Sequence, residues 1–136
     1  MDPQAVREFA AQHHQAVLAT PRRDGSPQLS PVTVGVDPEG RLIVSTRETA
    51  VKLRNLRRDH HYTIAIFTNN FFGPWVSARG HAEIVSLPEA LPLLVDYYRG
   101  VSGEHPDWDD YRRAMVEERR VLLRLNIEDA GPNTSG

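Results

Sequence analysis

A change of hydrophobic period near residue 15 constrains this chain more than any other feature. Before it, residues 3–14 carry helical spacing, with Val6, Phe9 and Ala10 on one side and Arg7, Glu8 and Gln12 on the other. After it the period is two, and the turns are too tight for a crossover. Residues 16–20 predict a strand closed by Arg23-Asp24-Gly25-Ser26, where Asp-Gly supplies the positive φ of a hairpin turn. Residues 28–36 predict a second strand, with Val32, Val34 and Val36 on one face, ending at Asp37-Pro38-Glu39-Gly40. Residues 41–46 return as a third. Neighbours joined by such short connections pair antiparallel.

The rest of the chain continues the pattern with helices inserted. Thr49 is placed to cap a helix over residues 49–59, with Ala50, Leu53 and Leu56 inward and Lys52, Arg54, Arg57 and Arg58 outward. Residues 62–67 and 75–85 alternate as two more strands, and Asn69-Asn70-Phe71-Phe72-Gly73-Pro74 joins them as a loop. Ser86-Leu87-Pro88-Glu89 reads as a capping box for a helix to about residue 99, and residues 106–119 as another, with Trp108, Tyr111 and Met115 as its buried stripe. Residues 121–127 are the sixth strand. About six short antiparallel strands with helices predict a mainly β domain, a closed or split antiparallel barrel, since closure removes exposed edges.

At 136 residues the chain is one domain's worth. Residues 1–129 are expected to form the barrel domain and residues 130–136 a flexible tail. A net charge of −2 gives no global attraction to nucleic acid or to an anionic membrane, so no nucleic-acid or membrane partner is expected. Cysteine is absent, which excludes disulfides and thiolate chemistry. The start, Met1-Asp2-Pro3-Gln4, lacks a basic region followed by an apolar run, and a cytoplasmic protein is expected.

No G-x-G-x-x-G, P-loop or G-x-S-x-G pattern is present, which removes the usual dinucleotide, P-loop and hydrolase anchors. Adjacent pairs His13-His14 and His60-His61 diverge on a helix or strand, so no metal site is expected. Three segments remain. Ser45-Thr46-Arg47-Glu48-Thr49-Ala50-Val51-Lys52 puts hydroxyls, a helix N-terminus and cations after a strand, where they converge on a phosphate unless the segment is only a solvated basic face. Gln28-Leu29-Ser30-Pro31-Val32 carries a proline inside a strand, which marks an edge, a bulge or a place where a planar ligand replaces the neighbouring strand. Gly73-Pro74-Trp75-Val76 sets an indole at a strand start, as core or as a cofactor wall.

The order of these segments resembles a known family. Leu18-Ala19-Thr20, Asp24-Gly25-x-Pro27, Leu29-Ser30-Pro31-Val32, Gly40-x-Leu42-x-Val44-Ser45-Thr46, Lys52-x-Arg54-Asn55-Leu56-Arg57-Arg58-Asp59 and Gly80-His81-Ala82-Glu83 together look like the pyridoxamine 5′-phosphate oxidase-like split-barrel superfamily. Tyr98-Arg99, Gly103-Glu104-His105-Pro106-Asp107-Trp108-Asp109-Asp110-Tyr111-Arg112 and Arg119-Arg120-Val121-Leu122-Leu123 resemble its actinobacterial deazaflavin branch, which binds coenzyme F-420.

The resemblance implies a homodimer with cofactor sites at the interface and a small-molecule substrate. It implies that Lys52 and Asn55 hold the phosphate and acidic tail, that Ser45 and Thr46 form the strand end beside them, that Gln28, Ser30, Pro31 and Val32 border the ring, and that Trp75 closes the ring site. Where relatives often carry an arginine this chain has Ala50, so Arg47 is expected to supply that charge, and no proton donor is nominated. The implied activity is deazaflavin-dependent hydride transfer to a small organic substrate. The alternatives are an FMN-dependent oxidase or reductase and a non-catalytic protein holding the cofactor or a tetrapyrrole. A basic track through Arg47, Lys52, Arg54, Arg57 and Arg58 favours the deazaflavin, whose tail carries several acids.

Overall fold

The computed structural model describes residues 1–132. The elements in chain order are α1 (Pro3–Gln12), β1 (Gln15–Pro21), β2 (Pro27–Thr33), β3 (Gly35–Val36), β4 (Leu42–Arg47), α2 (Val51–Arg58), β5 (His61–Phe67), β6 (Trp75–Val85), α3 (Ala90–Ser102), α4 (Trp108–Glu117) and β7 (Arg120–Gly131). All strands form one antiparallel sheet in the order β2-β1-β5-β6-β7-β4-β3.

That order explains why there are seven strands rather than the six expected. The segment expected as one strand over residues 28–36 breaks at Val34. Its first part pairs with β1 at one edge of the sheet, and its last two residues pair with β4 at the other. A single short stretch of chain thus supplies both edges, so the sheet must curl until they meet, which is the split barrel. Val34, at the changeover, is fully buried, and its N–H donates to the His14 carbonyl. Pro31 lies on β2, which pairs with β1 alone, so the missing donor costs no ladder bond.

Two apolar clusters hold the domain together. Inside the barrel, Leu18, Ile64, Ile66, Val44, Leu123 and Leu125 alternate inward from their strands, and Leu53 and Leu56 of α2 plug one end. Outside it, Leu94, Tyr111 and Met115 of α3 and α4 cover Ile43 of β4 and Leu122 of β7. Strands β4 and β7 are therefore buried on both faces. Strands β2, β1, β5 and β6 are buried on one.

Several ends differ from expectation. Helix α2 begins at Val51 with Ala50 as its N-cap and no side-chain capping bond, so Thr49 does not cap it. The α3 N-cap, Glu89, likewise makes no side-chain bond, and the first turn is closed by the Ala90 N–H donating to the Ser86 carbonyl. Asp107 does cap α4, accepting from the Asp110 N–H. Strand β7 runs to Gly131, and Ala130, expected in the tail, pairs with Ala78 and is 5% exposed. The extension follows from a register shift between Arg79 and Gly80, which lets β7 continue alongside β6. Of the expected tail, residues 133–136 lie outside the described residues. Among the described residues, no helix is long and apolar enough to cross a membrane.

Candidate functional site

The end of β4 and the start of α2 form one wall of a cleft of about 800 Å³. Ser45, Thr46 and Arg47 come from β4, Thr49 and Ala50 from the turn, and Lys52 from the first turn of α2. Pro31, Val32 and Thr33 of edge strand β2 form the opposite wall. Tyr97 and Tyr98 of α3, Tyr111 and Met115 of α4 and Arg120 of β7 close the third side.

The turn into α2 prepares an anion site. Because Ala50 caps by backbone alone, its carbonyl accepts from the Leu53 and Arg54 N–H groups, and its own N–H donates to the Arg47 carbonyl. The N–H groups of Val51 and Lys52 have no protein partner among the described residues. They point out of the helix start, where partial positive charge accumulates.

Lys52, the single lysine of the chain, makes no ion pair among the described residues. Burial, and then the neighbouring Arg120 guanidinium, hold its ammonium below the usual lysine range. A half-buried cation beside another cation lacks an anion, and the cleft is where one fits. The other two cations are partly compensated: Arg47 and Arg120 both bind Glu118, at 3.1 and 2.8 Å, and these bonds, Arg120's first, hold its carboxyl below the usual range.

The three cleft tyrosines differ in what they can offer. Tyr97 donates to the Thr33 carbonyl at 2.8 Å, tying α3 to the free edge of β2. Tyr111 donates to the Leu94 carbonyl at 2.7 Å, and burial pushes its phenol up to about 12. Tyr98 packs edge-on against Trp108 and His105, and its hydroxyl has no hydrogen-bond partner among the described residues.

Of the expected site residues, Pro31, Val32, Ser45, Thr46, Arg47 and Lys52 meet in this cleft. The side chains of four others do not. Asn55, expected on the phosphate, faces the barrel end at 5% exposure, donates to Thr20 Oγ1 at 3.1 Å and accepts from Arg58. Gln28 lies beside the same Thr20 hydroxyl at 3.3 Å. Ser30 alternates inward opposite buried Leu18, and its hydroxyl is buried without a partner among the described residues. Strand pleating therefore leaves only the backbone of Gln28 and Ser30 for a ligand at the free edge of β2. Trp75 pairs with Phe67 on the outer face, three strands across the sheet from Thr33.

The expected basic track is also divided. Arg54, Arg57 and Arg58 stand across α2 from Lys52 and line a different groove. Arg120 takes their place in the cleft. Sequence reasoning missed it because its relation to Arg47 exists only through the β4–β7 register, which places the two opposite each other. Tyr97 and Tyr98 were equally hidden until α3 was known to pack over β4.

The sequence matches a family model described as pyridoxamine 5′-phosphate oxidase over residues 2–132. Among solved structures, a conserved hypothetical protein of Mycobacterium tuberculosis is similar at 25% identity and a TM-score of 0.78, covering 100% of this chain and 92% of that one. An F420 reductase is similar at 19% identity and a TM-score of 0.71, covering 92% of this chain and 94% of that one. A haem storage protein of Vibrio cholerae is similar at 16% identity and a TM-score of 0.69, covering 94% of this chain and 92% of that one.

Proposed function

The chain belongs to the pyridoxamine 5′-phosphate oxidase family, and from that premise we propose that it is an oxidoreductase whose cleft holds a phosphate-bearing flavin-type cofactor, coenzyme F-420 in the first place. One observation carries the reading: Lys52 stands half-buried, without a counter-ion among the described residues, beside Arg120 and two free N–H groups of α2. That donor set fits a phosphate group. The deazaflavin is favoured by the α3–α4 motif from Tyr98 to Arg112 and by likeness to a solved F420 reductase.

In this reading Lys52, Arg47 and Arg120 bind and orient the anionic side chain. The free edge of β2 at Pro31 and Val32 borders the ring, and Tyr98 and Met115 cover it from the helical side and exclude water. When bound, the deazaflavin supplies a hydride to an electron-poor double bond of a small organic substrate. Tyr97 and Tyr111 spend their hydroxyl protons on carbonyls and serve as supports. No proton donor is assigned.

A second reading, FMN, is favoured by one specific feature. Glu118 offsets part of the charge of Arg47 and Arg120, leaving a cleft suited to a single phosphate. A tetrapyrrole is less favoured, since no histidine lines the cleft among the described residues. We propose further that the protein is a homodimer. The outer face of β2, β1, β5 and β6 carries the row Pro31, Val17, Ala65 and Ser77, flanked by exposed Leu29 and Trp75. A second copy covering this face would bring residues such as Trp75 towards its neighbour's cleft.

The test is titration of apoprotein with F-420 and with FMN, alongside the absorption spectrum and mass of any copurifying small molecule. Saturable F-420 binding tighter than FMN supports the first reading. Tighter FMN binding replaces it with the second, and binding of neither removes both.

A further inference from the structure

On the far side of α2 from Lys52, a groove of about 900 Å³ is lined by Arg22 and Arg23 of the β1–β2 turn and by Arg54, Arg57 and Arg58 of α2. Its charge is poorly compensated. Among the described residues, Arg57 alone of these pairs with a carboxylate, Glu48 at 2.6 Å. Among the described residues, the Arg22 and Arg58 side chains donate only to neutral oxygens, those of Pro27, Pro21 and Asn55. The guanidinium groups of Arg23 and Arg54 have no hydrogen bond or ion pair among the described residues. Asp24, the acid in the lining, accepts from the Ser26 N–H and hydroxyl and also feels the Arg22 guanidinium, so it offsets part of one of the five charges.

Two separate elements thus line one groove with five arginines in a chain whose net charge is −2. Like charges so placed repel unless an anion sits between them, and Arg58 is held in place by Asn55, itself buried at 5% exposure. The guanidinium fork matches phosphate oxygens in pairs, and several forks facing one groove match several adjacent phosphates better than one.

We propose that this groove is a second anion site, distinct from the cofactor cleft, and that its ligand is a compact oligophosphate group. The site does not depend on the identity of the cofactor. Lys52 and Arg120 lie on the cleft side and take no part in it.

Calorimetric titration of the full chain with inorganic tripolyphosphate and with orthophosphate tests this, at low and at raised ionic strength. Tripolyphosphate is expected to bind at least about tenfold more tightly than orthophosphate, and Arg23→Ala and Arg54→Ala each to lose about tenfold, as removal of a charge-assisted donor does. Both residues are exposed, so neither substitution threatens the fold, and Arg54→Lys should restore affinity only in part. Lys52→Ala is expected to leave tripolyphosphate binding unchanged while weakening cofactor binding, which separates this site from the cleft. The proposal is overturned by absence of tripolyphosphate binding, or by binding that Lys52→Ala abolishes and the arginine substitutions do not. It is also overturned if only a single-stranded oligonucleotide binds, with affinity growing with its length.

Discussion

Lys52 and Asn55 sit three positions apart on one helix, yet they turn to opposite tasks. The motif around them was readable, but which neighbour each would meet was not, because a turn of helix places Lys52 over β7 and Asn55 over Thr20 of β1. Asn55→Ala leaves the Thr20 hydroxyl and the Arg58 guanidinium short of a partner, and should cost about 1–3 kcal/mol of stability in urea denaturation without changing cofactor affinity. A fall in affinity with no loss of stability would return Asn55 to the phosphate. The pH dependence of Lys52 has a definite sign. Its folded-state amine loses its proton below the ordinary lysine value, so at this group the unfolded chain binds more protons in the window between, and the contribution of Lys52 to stability rises with pH there. Cofactor affinity should fall over the same window as the cation is lost. With one lysine in the chain, a nitrogen-labelled lysine sample gives one ammonium signal. It should titrate below 10.5 in the free protein and move up when the cofactor binds; a signal unmoved by cofactor would place the phosphate elsewhere.

Among the elements, β6 was read with its bounds intact, since Val76, Ala78, Gly80 and Ala82 alternate against the residues between them, and all four are buried. The break between β2 and β3 was not legible. Gly35, directly after Val34, is the local mark of a bend inside a strand, but that each part would then serve a different sheet edge is fixed only by the pairing partners. The irregularity at Gly80 was likewise invisible, because it is defined by the partner strand. A Cβ on Gly80 would stand 2.0 Å from the Asn126 carbonyl oxygen, so the backbone of β7 would have to move. Gly80→Ala is expected to destabilise by about 3 kcal/mol, at the upper end for overpacking, read from the denaturation midpoint. A loss below about 0.5 kcal/mol would mean that β7 adjusts freely at this point.

At the scale of the whole molecule, the barrel class followed from short antiparallel connections alone, while the cleft depended on helices α3 and α4, whose docking over β4 and β7 no periodicity specifies. Half the sheet is covered by those helices, and the other half presents Pro31, Val17, Ala65 and Ser77 outward. If that face is the dimer contact, sedimentation should give a dimer at micromolar concentration, and Leu29→Glu, adding a charge at an exposed leucine, should shift it towards monomer. A wild-type monomer would remove the dimer from the account. The central claim is that the β4–α2 cleft holds a cofactor through its phosphate, and a thermodynamic cycle between protein and ligand tests it most directly. Dissociation constants of wild type and Lys52→Ala would be measured for F-420 and FMN, and for the same ring systems lacking the phosphate. The account predicts that the substitution weakens the phosphate-bearing ligands by about 1.5–3 kcal/mol and leaves the phosphate-free ones within about 0.5 kcal/mol. Equal losses for both kinds of ligand, or none for either, would contradict it.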